Sequence, residues 1–345
     1  MRKNLTIVLS CFVLIGALFI AGCGEGPSTS ADVISVLLID GQNNHQWPET
    51  TPVLESILEG SGRFAVTVST SPQGPPKAPR RSKEKSPEAD QKFAAEMKAW
   101  ETKMAEIKKG SAEAWSQWNP DFSAYDVVVS NYNGEPWPES VQKAFEAYVS
   151  GGGGFVAVHA ANNSFPEWSA YNKMIAVGGW GGRSELSGPY LRLREGAWTE
   201  DTTAGKGGAH GQRHEFLVET QVADHPITKG LPAKWLHAED ELYGLLRGPA
   251  EKVTVLAAAF SDEGTGGSGE YEPMLMVIDF GEGRVFHTTL GHDTVSMGDL
   301  GFHETLKRGT EWAATGGVTF PDVSAESLNA DSVARAVGES EGAPE

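Results

Sequence analysis

The sequence predicts an α/β fold: a three-layer sandwich around a mostly parallel sheet, with one antiparallel hairpin and one helical insertion. Three observations predict it. Apolar runs of strand length recur at 33–40 (VISVLLID), 125–132 (YDVVVSNY) and 154–161 (GFVAVHAA). Segments with helical spacing, VLESILEG and PESVQKAFEAYVS, alternate with them. Late in the chain, EPMLMVIDFGEGRVFHTTLG reads as two strands about a glycine turn. Strands that are apolar throughout need cover on both faces, as in a parallel sheet between helix layers.

The elements follow in order. Residues 1–23 have a basic start (Arg2, Lys3), an apolar stretch and the ending FIAGC. That pattern predicts a bacterial lipoprotein signal peptide with Cys23 as the acylated residue. Residues 24–32 (GEGPSTSA and the residue after it) read as a flexible tether. The expected location is the bacterial cell envelope, lipid-anchored to a membrane and facing the periplasm or exterior. The folded domain is expected over 33–320.

Within it, FAVTVST (64–70) is the second strand. Residues 73–118 are a charged insertion: a Pro-rich stretch, then a helix. Phe93, Met97, Trp100, Met104 and Ile107 form one helical stripe, expected to pack on the domain. Its local basicity also suits a partner or a membrane surface. A short helix is expected near 167–176, after the fourth strand. Residues 177–235 are Gly-rich and read as irregular, apart from a strand at HEFLVET. KVTVLAAAF is another strand, and a helix over about 301–314 closes the domain. The Ser/Glu/Ala-rich tail, 321–345, has little to bury and is expected to be disordered.

Composition removes several functions. The formal net charge is −18, from 46 acidic and 28 basic residues, which argues against phosphate-backbone binding and so against nucleic acid. The two cysteines are Cys11, inside the signal peptide, and Cys23. The domain therefore has no thiol for a disulfide, a nucleophile or a thiolate metal site. Any chemistry falls to His, Asp, Glu, Ser, Thr or Tyr.

Ligands of parallel α/β sheets sit at the carboxyl ends of the strands. The residues there are Asp40 with His45 and Trp47, Asn131 with Asn133, and His159. His292 follows the last strand. Imidazoles converging at one edge could transfer protons near neutral pH or bind a metal. GGFVAVHAAN also has the outline of a strand–turn–helix elbow with His159 at its apex. HAEDELY (237–243) offers three carboxylates, of which not all can face one site. In DHPITKGLP, His225 either locks a turn or touches ligand. His210 and His214 have zinc-pair spacing, but the glycines around them argue against a helix. His237, His287 and His303 read as structural.

LLIDGQNNHQW, YDVVVSNYNG, GGGGFVAVHAANNSFPEW, ADHPITKGLP, HAEDELY and GEGRVFHTTLGHD occur in this order across most of 33–316. In combination they resemble the ThuA-like family, named for trehalose utilisation. The resemblance implies a flavodoxin-like fold related to class I glutamine amidotransferases. It also implies a link to carbohydrate metabolism, including routes through 3-keto sugars. The family's recurring polar residues correspond to His45, His159, His225, Glu241 and His292, with Asp293 beside the last. Two features depart from the family: the 73–118 insertion, and EPMLMVI where many members carry a tryptophan.

The expectation is a sugar enzyme with His45, His159, Glu241 and His292 as its catalytic centre. Trp47, Asn133, His225 and Asp293 would bind substrate. A divalent metal such as zinc would have His45, His159 and His292 as candidate ligands. The reaction would be isomerisation, elimination or hydrolysis. A glutamine amidotransferase is disfavoured, because His159 stands where those enzymes carry cysteine. The alternative is a non-catalytic carbohydrate-binding lipoprotein.

Overall fold

The computed structural model describes residues 33–76 and 78–336. The signal peptide, Cys23, the tether and residues 337–345 lie outside the described residues. The chain runs β1 (Ile34–Asp40), α1 (Trp47–Gly60), β2 (Phe64–Thr70), α2 (Pro87–Gln117), β3 (Val127–Ser130), α3 (Glu139–Ser150) and β4 (Gly154–Val158). It continues with α4 (Ser169–Ile175), β5 (Tyr190–Arg194), β6 (Ala197–Asp201), β7 (His214–Thr220) and β8 (Lys234–Asp240). It ends with β9 (Val253–Phe260), β10 (Tyr271–Phe280), β11 (Gly283–Thr288), α5 (Thr294–Met297) and α6 (Leu300–Thr315).

Nine strands form one sheet in the order β2-β1-β3-β4-β11-β10-β9-β7-β8. The first five are parallel and the last four join antiparallel. Alternate residues of the apolar strands supply opposite faces. Val36 and Leu38 meet Leu54 and Leu58 of α1 and Leu306 of α6 in one core. Leu37 and Ile39 share the other core with Phe145 of α3 and Tyr171 of α4. Period-2 alternation thus produces three layers from uniformly apolar strands.

The structure enlarges the antiparallel part beyond the single expected hairpin. The separate β5–β6 hairpin lies in the stretch read as irregular, and β8 (KWLHAED) begins at its end. β5 (YLRLR) alternates only over five residues, and β8 has no clean apolar alternation. The described residues of the insertion before α2 form no helix or strand, and the Ser86 side chain caps α2 by accepting from the Ala89 N–H. No residue of α2 is buried. Its apolar stripe meets the segment that precedes it: the Trp100 indole donates to the Pro76 carbonyl (2.8 Å), and Arg81 lies over Phe93. No helix among the described residues is long and apolar enough to cross a membrane.

The tail corrects the expectation of disorder over 321–336. The Val323 N–H donates to Gly230 O (2.8 Å), Leu236 N–H to Asn329 O (2.7 Å) and Leu300 N–H to Ala334 O (2.9 Å), while Leu328 is fully buried. Backbone pairing and one buried leucine hold this segment, and composition reports neither.

Candidate functional site

Parallel strands exit at one edge, so β1, β3, β4 and β11 deliver their loops to the same side of the sheet. Strand order reverses direction between β1 and β3, the usual place for a ligand crevice. His45 follows β1, Asn133 follows β3, His159 follows β4 and His292 follows β11. A cleft of about 390 Å³ opens there. Its walls include Asn44, His45, Asn133, Trp180, His210, Glu241 and Tyr243. A larger cavity of about 510 Å³, between α1 and α6, is distant from this cluster in its lining and holds only His303 and Lys307 as ionisable groups.

Three imidazoles converge. Ring centroids of His45 lie 4.5 Å from His292 and 4.9 Å from His159. Glu241 is their common partner: Oε1 is 3.3 Å from His292 Nε2 and 3.7 Å from His210 Nε2, and Oε2 is 3.7 Å from His159 Nε2. Burial opposes charge on Glu241, but the neighbouring His159 and His292 hold it well below the usual carboxylate range. Burial likewise opposes charge on His292, yet Glu241 raises its pKa above the ordinary value. His45 goes the other way: burial, then repulsion from His159 and His292, lowers it to about 3, so it is neutral at physiological pH.

Backbone partners fix the tautomers. His159 occupies the elbow with φ +46°, a left-handed conformation that costs a non-glycine residue about 1–3 kcal/mol. Its Nδ1–H donates to the Thr289 carbonyl (2.6 Å), which leaves Nε2 bare in the neutral ring. That Nε2 is buried, has no hydrogen-bond partner, and faces a carboxylate oxygen. Two lone pairs facing each other repel, so the arrangement calls for a proton or a cation between them. His159 also stacks on Tyr243, with ring centroids 4.1 Å apart. His210 donates Nδ1–H to the Gly211 carbonyl (2.8 Å), and its Nε2 faces the cleft, 3.7 Å from Glu241 Oε1.

His45 Nε2 accepts from the Asn44 amide (3.0 Å) and lies 3.1 Å from the Tyr243 hydroxyl. Asn133 donates to Asn44 Oδ1 (2.5 Å), so Asn133 reaches the cluster through Asn44. Burial, then the Glu241 charge, pushes the Tyr243 phenol well up, which keeps its proton in place as a donor.

Each carboxylate of HAEDELY has a different environment. Glu239 is exposed beside Arg213 (3.6 Å), Asp240 is fully buried, and Glu241 faces the imidazoles. Asp293 caps α5 through Oδ1, and its Oδ2 pairs with Arg213 at 2.7 Å and lies 3.4 Å from His292 Nδ1.

The remaining expected residues sit elsewhere. His225, expected to bind substrate, instead accepts the Ile227 N–H at Nδ1 (3.3 Å) and packs on Trp312. The proline after it fixes a turn, and the ring locks that turn. Trp47 opens α1 and is not among the cleft walls; the tryptophan there is Trp180, 4.7 Å from Tyr243. His214 bonds Gln212 O at the start of β7 and does not pair with His210, because the chain between them is not helical. Asn131 ties β3 to Thr50 and Thr51 of α1. His287 is buried between Asn162 and the Ile175 carbonyl. Sequence reading missed His210, Tyr243 and Trp180 as site residues. The available signals were an aromatic two residues after Glu241 and a tryptophan between glycine pairs, GGWGG.

For a divalent metal, whose presence the sequence leaves open, His45, His159 and His292 are the candidate ligands. The donor atoms that converge, all within 4.8 Å of one another, belong instead to His45, Glu241 and His292. Two imidazoles and a carboxylate are a donor set that first-row divalent ions accept. The bare, buried Nε2 of His159 beside Glu241 is consistent with a cation at this position.

The fold and this strand-edge site define an α/β sandwich protein with its polar centre at the carboxyl ends of a parallel sheet. The ThuA profile, described as trehalose utilisation, matches residues 80–313, and the chain belongs to that carbohydrate-utilisation family. A crystal structure of a ThuA-like protein from Parabacteroides merdae is 39% identical, with a TM-score of 0.75, over 88% of this chain and 98% of that one. A ThuA-like protein from Bacteroides uniformis is 16% identical, with a TM-score of 0.52, over 85% of this chain and 98% of that one, a likeness of fold alone. No curated protein matches the sequence.

Proposed function

We propose that this protein is an enzyme that moves protons on a sugar or an oxidised, 3-keto sugar. The observation that carries this reading is the convergence of His45, His159, His210 and His292 about Glu241 at one cleft. A ketone makes the hydrogen on its neighbouring carbon acidic. His210, whose Nε2 faces both the cleft and Glu241, takes that proton when its ring is neutral, and Glu241 stabilises the imidazolium that forms. The Tyr243 hydroxyl donates toward the oxygen that gains charge, and His292, raised by Glu241, adds positive charge behind it. Return of the proton to the adjacent carbon gives isomerisation; departure of a group one carbon further on gives elimination. His159 is a positioning residue for Glu241. A divalent ion, when held by His45, Glu241 and His292, would supply positive charge that polarises the carbonyl.

The lipobox ending at Cys23 supports attachment of the enzyme to a membrane of the bacterial envelope by lipid. Cys23→Ala should abolish fatty-acid labelling and release the protein from the membrane fraction.

The test of activity is a panel of 3-keto glycosides, with and without added zinc or manganese. Turnover that Glu241→Gln abolishes is expected; an unchanged panel in both conditions sinks the proposal. A second reading, a sugar-binding lipoprotein, is favoured by the aromatic wall of Trp180 and Tyr243. It predicts binding without turnover.

A further inference from the structure

Asp240, His237 and Asp299 form a buried ion cluster outside the cleft, and all three are fully buried. His237 Nε2 lies 3.0 Å from Asp240 Oδ2, and Nδ1 lies 3.0 Å from Asp299 Oδ1. Carboxylates only accept, so both ring nitrogens donate and the ring is an imidazolium. Burial alone would neutralise it; the hydrogen bonds to the two aspartates instead raise its pKa to about 9. Asp299 Oδ1 also accepts the Phe302 N–H at the start of α6 (3.0 Å).

As a stabilising device such a cluster is poor. Desolvating ions costs several kcal/mol each, and apolar replacements are often as stable. Its geometry points to a different role. Asp240 accepts four hydrogen bonds: Glu241 N–H (2.7 Å) and His292 N–H (3.1 Å) at Oδ1, Gly291 N–H (2.8 Å) and His237 at Oδ2. Three of the four donors are backbone groups of the segments that carry Glu241 and His292.

Those segments have no other register between them. Glu241 follows β8 at the edge of the sheet, and His292 follows β11, with β10, β9 and β7 in between. No ladder joins them. Two features aim Asp240 at this gap. The β7–β8 register shifts between His214 and Phe216, so one residue of β7, Glu215, opposes two of β8, Ala238 and Glu239. That bulge turns Asp240 to the same side as His237, where unbroken alternation would oppose them. Gly291, at φ +105°, then presents its N–H and that of His292 to the one carboxylate.

We propose that Asp240 is the positioning residue of the site: one buried carboxylate, held by His237 and Asp299, that clamps the backbones of Glu241 and His292 together. Outer partners of this kind typically set metal affinity by about 10–100-fold. The metal arm of the test rests on the function proposed above; the amide arm does not.

The test compares purified full-length wild type with Asp240→Asn, and with Ile278→Ala as a destabilised control. Ile278 pairs with Val285 at the opposite end of β11 and opens a cavity remote from the clamp. In Asp240→Asn the amide proton resonances of Glu241, Gly291 and His292 should move upfield together, and zinc affinity by calorimetry should fall about tenfold or more. Ile278→Ala should lower Tm with both readouts unchanged. Asp299→Asn, the milder variant should Asp240→Asn not fold, should shift the same amides less. A folded Asp240→Asn or Asp299→Asn protein whose three amides stay in place overturns the proposal. Wild type that takes up no zinc counts against the metal in the proposed function and leaves the amide result to decide the clamp.

Discussion

The two halves of the sheet build the site by different means. The parallel half, β2-β1-β3-β4-β11, delivers His45, His159 and His292 by topology: strands running one way must end at one edge. The antiparallel half, β10-β9-β7-β8, delivers Glu241 from an edge strand, and only by way of a bulge and a buried ion cluster. The first mechanism needs only apolar strands of the right length. The second needs specific side chains at specific positions, and charge held out of water. The parallel half thus brings three imidazoles, while the antiparallel half brings His210, just before β7, and the anion that raises His292.

The largest expected effect tests that division. Glu241→Gln removes the anion and leaves the imidazoles in place. Turnover should fall by about 10²–10⁴-fold, and a His292 raised by Glu241 should return toward the ordinary histidine range in an NMR titration. Wild-type turnover in Glu241→Gln would mean that the imidazoles act without the anion.

The next effect is on stability against pH. The folded pKa of His237 is raised to about 9, above the ordinary value of 6.5. Its contribution is therefore fully present below pH 6.5 and is lost as pH rises through about 9. Tm should decline across that window in wild type, and His237→Asn should flatten the decline while lowering Tm at neutral pH. A decline of equal slope in His237→Asn would separate the pH dependence from the clamp.

The smallest effect distinguishes two tryptophans. Trp180→Ala should weaken sugar binding about tenfold, an aromatic contact of about 1.4 kcal/mol. Trp47→Ala should leave binding unchanged, as measured by calorimetry with the keto glycoside that is turned over. Equal losses would make the cleft wider than its present walls.

The same contrast explains what could be read from the sequence. VISVLLID, YDVVVSNY and GFVAVHAA announce buried parallel strands by apolar continuity, and the strand exits then nominate His45, His159 and His292. KWLHAED carries no such signal, because its bulge breaks the alternation by which a strand is recognised. For the same reason His237 read as merely structural, and Asp240 as one of three interchangeable acids. His210 was obscured by its spacing from His214, which has meaning only on a helix. The tail over 321–336 was misread because its hold is backbone hydrogen bonding to Gly230, Leu236 and Leu300, which composition does not record.

The central claim is that His210, an imidazole held against the Glu241 carboxylate, removes a proton next to a sugar carbonyl. Its most direct test is to incubate the protein with a 3-keto glycoside in D₂O and follow the carbon-bound hydrogens by NMR. The account predicts deuterium at the carbon beside the ketone, or a deuterated product, with wild type and with Trp47→Ala. Neither should form with Glu241→Gln. Deuterium incorporation no faster than in buffer alone, under conditions where the sugar binds, would contradict it.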